Sequence, residues 1–339
     1  MALNLLLLIV GLLLAGFTLR DVFETVIVPG GSRASLKVAK RLVWTLLPLW
    51  RVIGGRRRGV SSAFGPLILV LCFVVWMALL AIGFGLVAFA VREDFHPVLT
   101  SLADAIYIVG SSLVTVGLAQ SNPFGAARWV VLGAGFCGLA VMTMAVTYLL
   151  EVQNSVSRRD IGIIKLNTSA GEPPSAVTLL QRFAAIGNRA ELPALLREGR
   201  DWCATVRQSH ANHPSLIYFQ SVSTGSGWPA ALGALIDLAL IAEEILDEPE
   251  LVGAAVLLRE EAERMGRELA AIIHLSPVEV KPNELELRQA IEQLDGAGYP
   301  LREGVDVPQI ARKRALLQHC MTALAAHLGK APTMLVRQA

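Results

Sequence analysis

Three long apolar stretches, separated by polar and charged segments, dominate the first half of the chain. They cover residues 3–28, 64–91 and 129–150. A membrane-spanning helix needs about 20 mostly apolar residues, because the hydrocarbon core is about 30 Å thick and each helical residue rises about 1.5 Å. The pattern therefore predicts three transmembrane helices. A cleaved signal peptide is the alternative for the first stretch, but Met-Ala-Leu-Asn lacks the basic residues typical of one.

A shorter apolar stretch, residues 98–113, lies between the second and third spans and is too short to cross. Because the flanking spans place both of its ends on one membrane face, it is predicted to be a re-entrant helix. Ser101 and Asp104 have the spacing of a capping box at its start. The following residues, 115–119, must then return as non-helical backbone, which a membrane tolerates only where protein buries it or where it lines a water-filled cavity.

The second half of the chain has helical periodicity in a more polar background, and few runs alternate at period two. The apolar stretch 230–242 contains Asp237 and is too short to span, so it predicts a buried helix of a soluble bundle. The predicted helices of this all-α part are 176–186, 190–209, 229–248, 251–274, 283–294 and 307–328.

Composition supports the same division. The 339 residues are 54% hydrophobic and only 17% charged, with a mean hydropathy of +0.54. Soluble domains carry about 25% charged residues, so the balance indicates a membrane protein. Residues 1–150 contain 11 Lys and Arg against 5 Asp and Glu, whereas residues 151–339 contain 19 against 23. The basic half is therefore the membrane part.

The loop between the first two spans sets the predicted orientation. Residues 33–58 include eight basic residues and no acidic one, so the positive-inside rule assigns this loop to the cytoplasm. The N-terminus is then outside and the second half of the chain is inside. The apolar middle of the loop, 42–50, predicts an amphipathic helix on the membrane surface, with Arg33 to Arg58 facing anionic headgroups. A solvated basic linker is the alternative.

The return stretch after the re-entrant helix carries the candidate chemistry. Thr115, Val116 and Gly117 follow the predicted re-entrant helix and precede a glycine-bearing span. This arrangement resembles the pore module of the potassium channel superfamily, in the two-helix bacterial form, over about residues 64–150. The N-terminal helix more loosely resembles that of bacterial ion-channel relatives. The family pattern is Thr-Val-Gly-Tyr-Gly-Asp, and this chain has, in order, Thr115, Val116, Gly117, Leu118, Ala119 and Gln120.

The resemblance implies a cation channel in the bacterial inner membrane, with one filter strand from each chain of a homotetramer. Thr115, Val116, Gly117 and Leu118 would line the filter with carbonyl oxygens, and permeant K⁺ would be its only bound ion. Ala119 would set the outer geometry. A left-handed backbone there costs a non-glycine residue roughly 1–2 kcal/mol, so we expect relaxed selectivity.

Gly138 lies in the third span, near where the inner helix of this family bends to gate. Small residues let membrane helices approach closely, so Gly138 serves either helix packing or a gate hinge. Both interpretations stay open on the sequence alone.

The second half shows no recognisable reaction chemistry. It has no Gly-x-Gly-x-x-Gly, Walker or Cys-x-x-Cys motif and no Ser-His-Asp set, so we expect no enzyme, no cofactor and no nucleic-acid partner. His210 and His213, with Cys203 upstream, are predicted to be surface histidines rather than metal ligands. The cytoplasmic ligand is open. The rivals are a non-conducting channel-like scaffold or sensor and a membrane-anchored enzyme in residues 170–339.

The predicted fold is an all-α membrane protein with three transmembrane helices, a re-entrant pore helix and filter loop, and a helical cytoplasmic domain. The predicted segments are 1–30 for the N-terminal helix, 31–63 for the basic linker, 64–152 for the pore domain, 153–175 for a second linker and 176–339 for the cytoplasmic domain.

Overall fold

A computed structural model describes residues 1–28, 38–54, 63–118, 121–220 and 225–337. The chain divides into two compact units, Met1–Gln153 and Asn154–Ala339, and the division falls inside one long helix. In the described ranges the regular structure is helical, apart from one two-stranded β pair and one isolated bridge. The predicted all-α class is therefore confirmed for these ranges.

The first unit is built from long apolar helices. Three of the helices in the described ranges are long and apolar enough to cross a membrane, namely α1 (Ala2–Val26), α3 (Phe64–Ala90) and α5 (Gly125–Ala170). Predicted spans one and two agree with α1 and α3 to within two residues at each end. The helices of this unit are α1 (Ala2–Val26), α2 (Val38–Gly54), α3 (Phe64–Ala90), α4 (Leu102–Leu113) and the first part of α5 (Gly125–Ala170).

Small residues allow α1 and α3 to pack closely. A Cβ atom added at Gly11 would lie 2.6 Å from the Gly83 carbonyl oxygen, and one added at Gly83 would lie 3.3 Å from the Ala15 Cβ. Gly16 has no such neighbour within 4 Å. Close backbone approach of this kind is how apolar helices gain packing energy inside a lipid environment.

The short helix α4 packs on α3 at another glycine. A Cβ atom at Gly85 would overlap the Ile106 side chain and backbone. Ser101 caps α4, because its side-chain oxygen accepts a hydrogen bond from the Asp104 amide at 3.1 Å. The cap predicted from the Ser101–Asp104 spacing is therefore confirmed. The helix begins at Leu102 rather than at residue 98, because Ser101 is extended.

Helix α5 requires a correction to the predicted segments. It begins four residues before the predicted third span and continues to Ala170, so most of the predicted linker 153–175 is helical. Ile163, Leu166 and Ala170 on this part of α5 are buried in the core of the second unit. Their spacing of three and four residues puts them on one helix face, a pattern that the surrounding charged residues concealed. Only 171–174 form a turn.

The second unit packs its helices around α8. Every residue from Gly227 to Ala242 of α8 is buried, which agrees with the predicted core helix of a soluble bundle. Predicted and observed helix ends differ by at most four residues. Its helices in the described ranges, besides the end of α5, are α6 (Ala176–Ala185), α7 (Leu192–Asn212), α8 (Gly227–Glu244), α9 (Pro249–Ile272), α10 (Glu284–Gly296) and α11 (Val307–His327).

The buried carboxylate of Asp237 on α8 is neutralised by α11. Arg314 donates two hydrogen bonds to its two oxygens at 2.8 Å each, and Gln318 donates another at 3.0 Å. A bidentate arginine with a further donor satisfies a charge that would otherwise be costly to bury. The same guanidinium reaches Glu286 on α10 at 3.0 Å, so one arginine connects three helices.

The C-terminal segment is held against this bundle by its backbone. The Ser175 hydroxyl donates to the Leu335 carbonyl at 2.6 Å, and the Leu335 amide donates to Glu286 at 2.8 Å. The Leu335 side chain is 1% exposed. Thr333 packs against Gly233 so closely that a Cβ atom at Gly233 would overlap it. The segment is therefore an integral part of the core.

Candidate functional site

The candidate site is the loop that leaves the C-terminal end of α4. Val114 ends the helix, and its amide still donates to the Gly110 carbonyl at 3.1 Å. A helix of 12 residues spans about 18 Å, well short of a hydrocarbon core of about 30 Å. Helix α4 is therefore too short to cross a membrane, and the chain that follows it is non-helical. Helix α4 packs against α3 and α5, which are both long enough to cross.

The backbone of this loop takes left-handed angles at two positions. Gly117 has φ +71° and Thr115 has φ +60°. Glycine adopts this region freely, whereas a β-branched residue does so at a cost of roughly 1–2 kcal/mol. Among the residues that the structure describes, a Cβ atom at Gly117 would meet nothing within 4 Å, so the requirement for glycine that they show is conformational. The match to the family pattern predicts a glycine at position 117, but nothing in the sequence predicts the left-handed angle at Thr115.

Ser111 is the residue around which the loop folds. Its carbonyl oxygen accepts hydrogen bonds from the Val116 amide at 2.9 Å and the Gly117 amide at 3.1 Å. Its hydroxyl lies 2.8 Å from the Leu118 carbonyl oxygen and 2.8 Å from the Ile108 carbonyl oxygen. The single hydroxyl proton serves one of these two acceptors at a time. Ser111 therefore tethers the loop to α4 through both its backbone and its side chain.

The sequence alone predicts no role for Ser111. The only signal was a pair of small hydroxyl residues, Ser111 and Ser112, in the last turn of an apolar helix. Hydroxyl side chains in that position usually bond back to the preceding turn, as Ser112 does to Ile108 at 3.3 Å.

The apolar side chains of the loop are exposed. Val114 is 47% exposed, Val116 59% and Leu118 55%. Apolar side chains in a contiguous exposed group indicate a surface that another molecule covers. The predicted filter residue Ala119 and its neighbour Gln120 lie outside the described residues. Thr115, Val116, Gly117 and Leu118 are brought together in one loop.

Gly138 on α5 lies directly against the end of α4. A Cβ atom there would overlap the Leu113 backbone, so only glycine permits this approach. Gly135, one turn earlier, is at ordinary contact distance, 3.5 Å from the Ser112 carbonyl oxygen. Of the two interpretations of Gly138, the packing contact is present in the structure. The hinge interpretation stays a prediction.

The segments that flank α4 are tied to α5 by Asp94. The Asp94 carboxylate accepts a hydrogen bond from the Ala126 amide at 3.0 Å, and its carbonyl accepts one from the Phe124 amide at 2.7 Å. Strand β1 (Phe95–His96) pairs with β2 (Asn122–Pro123) beside this contact. A carboxylate at a helix N-terminus accepts hydrogen bonds from free amides and is stabilised by the positive end of the helix dipole. The chain before α4 and the chain before α5 are thereby held together.

Asp104 carries negative charge in the first turn of α4. Hydrogen bonds from the Ser101 and Thr100 hydroxyl groups hold the pKa of its carboxyl below the ordinary value. The Thr100 hydroxyl lies 3.0 Å from the Asp104 carboxylate. An ionised carboxylate in the first turn is favoured by the positive end of the helix dipole.

The histidine prediction for the second unit is partly wrong. His210 is 1% exposed and Cys203 is fully buried, so neither lies on the surface. Burial, with the nearby Arg159 charge, lowers the pKa of His210 to about 3, which keeps the imidazole neutral. In the ranges that the structure describes, no group of three or more His, Cys, Asp or Glu residues could hold a metal ion.

Comparisons with known proteins place the chain near two Bacillus proteins. No protein-family model matches it, and no solved structure matches it. It is 31% identical over 122 residues to the uncharacterized membrane protein YdjJ of Bacillus subtilis (strain 168), covering 33% of this chain and 35% of that protein. It is 24% identical over 124 residues to Protein LctB of Bacillus caldotenax, covering 32% of this chain and 87% of that protein.

The chain spans about a third of the length of the first relative, so that protein's full activity does not transfer to it. The name of that relative agrees with the three long apolar helices of this chain. The class of protein defined by the fold and the comparisons is an all-helical membrane protein.

Proposed function

We propose that this protein is a cation channel of the potassium type, assembled as a homotetramer. The observation that carries the proposal is the loop after α4, held by Ser111 and left-handed at Thr115 and Gly117. Non-helical backbone at membrane depth is tolerated only where it is buried in protein or lines a water-filled cavity. Carbonyl oxygens on such a loop replace the water shell of a dehydrated cation.

Four copies are needed because one loop supplies only one side of a carbonyl ring. The exposed Val116 and Leu118 side chains give each loop an apolar surface that neighbouring copies would cover. In this arrangement the C-terminal end of α4, the negative end of its dipole, lies beside the loop and favours a cation. The channel loop would comprise Thr115, Val116, Gly117, Leu118 and Ala119.

The proposed membrane is the bacterial inner membrane, with the N-terminus outside and the second unit in the cytoplasm. The charge of the 33–58 loop supports this orientation. Helix α2 lies within that loop and exposes Trp44 to 81% and Leu49 to 59%. Large apolar side chains on a basic helix suit the boundary between anionic headgroups and acyl chains.

A non-conducting scaffold or sensor is the second candidate, and one contact favours it. When the Ser111 hydroxyl donates to the Leu118 carbonyl, that oxygen is engaged by the protein rather than available to a permeant ion. The departure of residues 118–120 from the family pattern favours the same candidate. A scaffold would keep the helices and lose the ion path.

Single-channel recording of the purified protein in planar bilayers tests the proposal. We expect cation currents, and reversal potentials in mixed K⁺ and Na⁺ solutions give the preference between the two ions. Gly117→Ala should abolish the current, because alanine opposes φ +71°. Gly110→Ala is the matched control, since Gly110 is helical and a Cβ atom there would lie 4.0 Å from the Ala81 Cβ. Absence of current at every voltage would favour the scaffold.

A further inference from the structure

A cavity of about 440 Å³ lies within the second unit, between the C-terminal half of α5 and helix α7. Its size falls within the range of about 300–1,000 Å³ that is usual for small-molecule sites. Helix α8 contributes Ala231 and Leu235 to its lining. Nothing in the proposed ion path uses this cavity, so the inference below stands independently of the channel proposal.

Two glycines and one tryptophan shape the walls. A Cβ atom at Gly162 on α5 would overlap the Trp202 indole ring, and one at Gly199 on α7 would lie 3.1 Å from Leu235. The Trp202 indole donates a hydrogen bond to the Arg159 carbonyl at 3.0 Å, which fixes the ring across the two helices. The cavity is therefore pre-formed rather than dependent on a ligand to open it.

The interior of the cavity is mainly apolar. Pockets of this kind gain affinity from apolar contact and take their orientation from a few polar groups at the edge. The apolar side chains lining it are Ile161, Leu166, Leu195, Ala231 and Leu235, together with the Trp202 ring.

Four charged residues lie at the edge of the cavity: Arg158, Lys165, Glu198 and Asp201. Lys165 is 3.9 Å from Glu198, and Asp201 is paired with Arg200 at 3.0 Å. Arg158 also lines the cavity and forms no ion pair with any residue in the described ranges. Both acidic groups at the edge thus have a basic partner, and Arg158 remains to receive an anion. A guanidinium matches the geometry of a carboxylate or phosphate group.

We propose that this cavity binds an anionic amphiphile, a molecule with an apolar body and a single carboxylate or phosphate head. The apolar body fills the space between Leu166, Leu235 and the Trp202 ring, and the head pairs with Arg158. Helix α5 supplies both the third apolar span and one wall of this site. The site is a ligand-binding site, with no covalent step.

Photolabelling of the full-length protein in lipid nanodiscs tests the site. The probe is a decanoic acid that carries a diazirine in its chain, and labelled peptides are mapped by mass spectrometry. We expect labelling in the peptides that contain residues 158–166 and 195–205. Unlabelled decanoate should protect these peptides, whereas 1-decanol at the same concentration should not, because it lacks the anionic head.

Three variants separate the head contact from the fold. Arg158→Gln should weaken protection by decanoate at least tenfold, and Arg197→Gln, an exposed arginine on α7, should leave it unchanged. Thr205→Trp should block the cavity from its exposed edge without disturbing the core. The proposal is overturned if labelling is confined to α1, α3 and the membrane part of α5. Equal protection by 1-decanol, or unchanged protection in both Arg158→Gln and Thr205→Trp, would also overturn it.

Discussion

Trp76 donates a hydrogen bond from its indole Nε1 to the Asp21 carboxylate across 2.9 Å, between α3 and α1. Asp21 is fully buried and Trp76 is 1% exposed. The Val38 amide at the start of α2 lies 3.4 Å from the same carboxylate oxygen. One acidic side chain therefore connects the first three helices of the first unit, Met1–Gln153, which is called the membrane unit below.

Loss of the Trp76 donor should weaken this unit. Trp76→Phe keeps most of the aromatic volume and removes the donor, and leaving a buried acceptor without its hydrogen bond costs about 1–3 kcal/mol. We expect a lower midpoint of thermal unfolding in detergent. Trp129→Phe is the control, because Trp129 is 75% exposed. An equal loss of stability in both variants would show that the Asp21 contact contributes nothing specific.

The close approach of α5 to α4 predicts that Gly138 tolerates no side chain. Gly138→Ala should destabilise the membrane unit by about 1–3 kcal/mol, because the methyl group would overlap the Leu113 backbone. Gly133→Ala, on the same helix, should be nearly neutral, since its Cβ atom would lie 3.9 Å from the Phe84 ring. Thermal unfolding in detergent compares the two. Similar midpoints would contradict the packing role of Gly138.

Ser111 should influence ion preference if the loop after α4 forms a filter. Removing its hydroxyl in Ser111→Ala deletes a contact of about 1 kcal/mol and frees the Leu118 carbonyl, so the K⁺ to Na⁺ permeability ratio should change by about fivefold. Ser111→Thr, which keeps a hydroxyl group at this position, should have the same permeability ratio as the parent protein. Ser112→Ala is the control, because among the described residues its hydroxyl bonds only to the Ile108 carbonyl within α4. Identical reversal potentials in all four proteins would rule out the tether.

Acid should destabilise the second unit through His210. Its imidazole is neutral in the folded protein, with a pKa of about 3, but has an ordinary pKa of about 6.5 when unfolded. Its stabilising contribution is complete above pH 6.5 and is lost as the pH falls toward 3, because the unfolded chain takes up the proton first. Between pH 7.5 and pH 5 the loss is about 2 kcal/mol.

A His210→Gln variant tests this pH dependence. Its thermal unfolding midpoint should fall less than that of the parent between pH 7.5 and pH 5, even if the variant is less stable at pH 7.5. His274→Gln is the control, since His274 is exposed in the same unit. If the parent and His210→Gln lose the same stability over this interval, His210 is not the titrating group.

The C-terminal segment should contribute to stability out of proportion to its length. Leu335→Ala should cost about 2–5 kcal/mol, the usual range for truncation of a buried leucine. Leu316→Ala, at a position that is 67% exposed, should cost far less. Thermal unfolding of the full-length protein measures both. Equal midpoints would show that the segment is not part of the cooperative core.

Much of the helical architecture could be predicted because its causes are local. Long apolar runs located α1 and α3, a Ser101–Asp104 spacing located the start of α4, and periodicity located the six helices after α5. The predictions were wrong where residues that are usually exposed, or turn residues, stand in a part of the chain that packs into the core. The turn residues 170–174 suggested a linker over 153–175, yet the chain is helical to Ala170 and Ile163 is buried in the core. His210 was predicted to lie on the surface because Pro214 follows closely and no further metal ligand is evident, yet it is buried.

The candidate site was only half predictable. The position of the loop and the need for glycine at Gly117 followed from apolar lengths and from the Thr-Val-Gly match. The role of Ser111 did not, because a serine near a helix end usually bonds back to the preceding turn and nothing in the spacing indicates a second acceptor. The left-handed angle at Thr115 was likewise unpredictable, since threonine rarely adopts it.

The sequence by itself determined which segments are apolar enough to leave water, where most helices lie to within a few residues, and which half carries the basic charge. These properties depend on neighbours within a few turns of a helix. Only the tertiary structure decided which buried polar groups meet, as Asp21 meets Trp76 and Ser175 meets Leu335. Those partners lie 55 and 160 positions apart, and hydropathy patterns carry no information about contacts at such separations. The cavity beside Arg158 arises in the same way, from helices α5, α7 and α8 packing together.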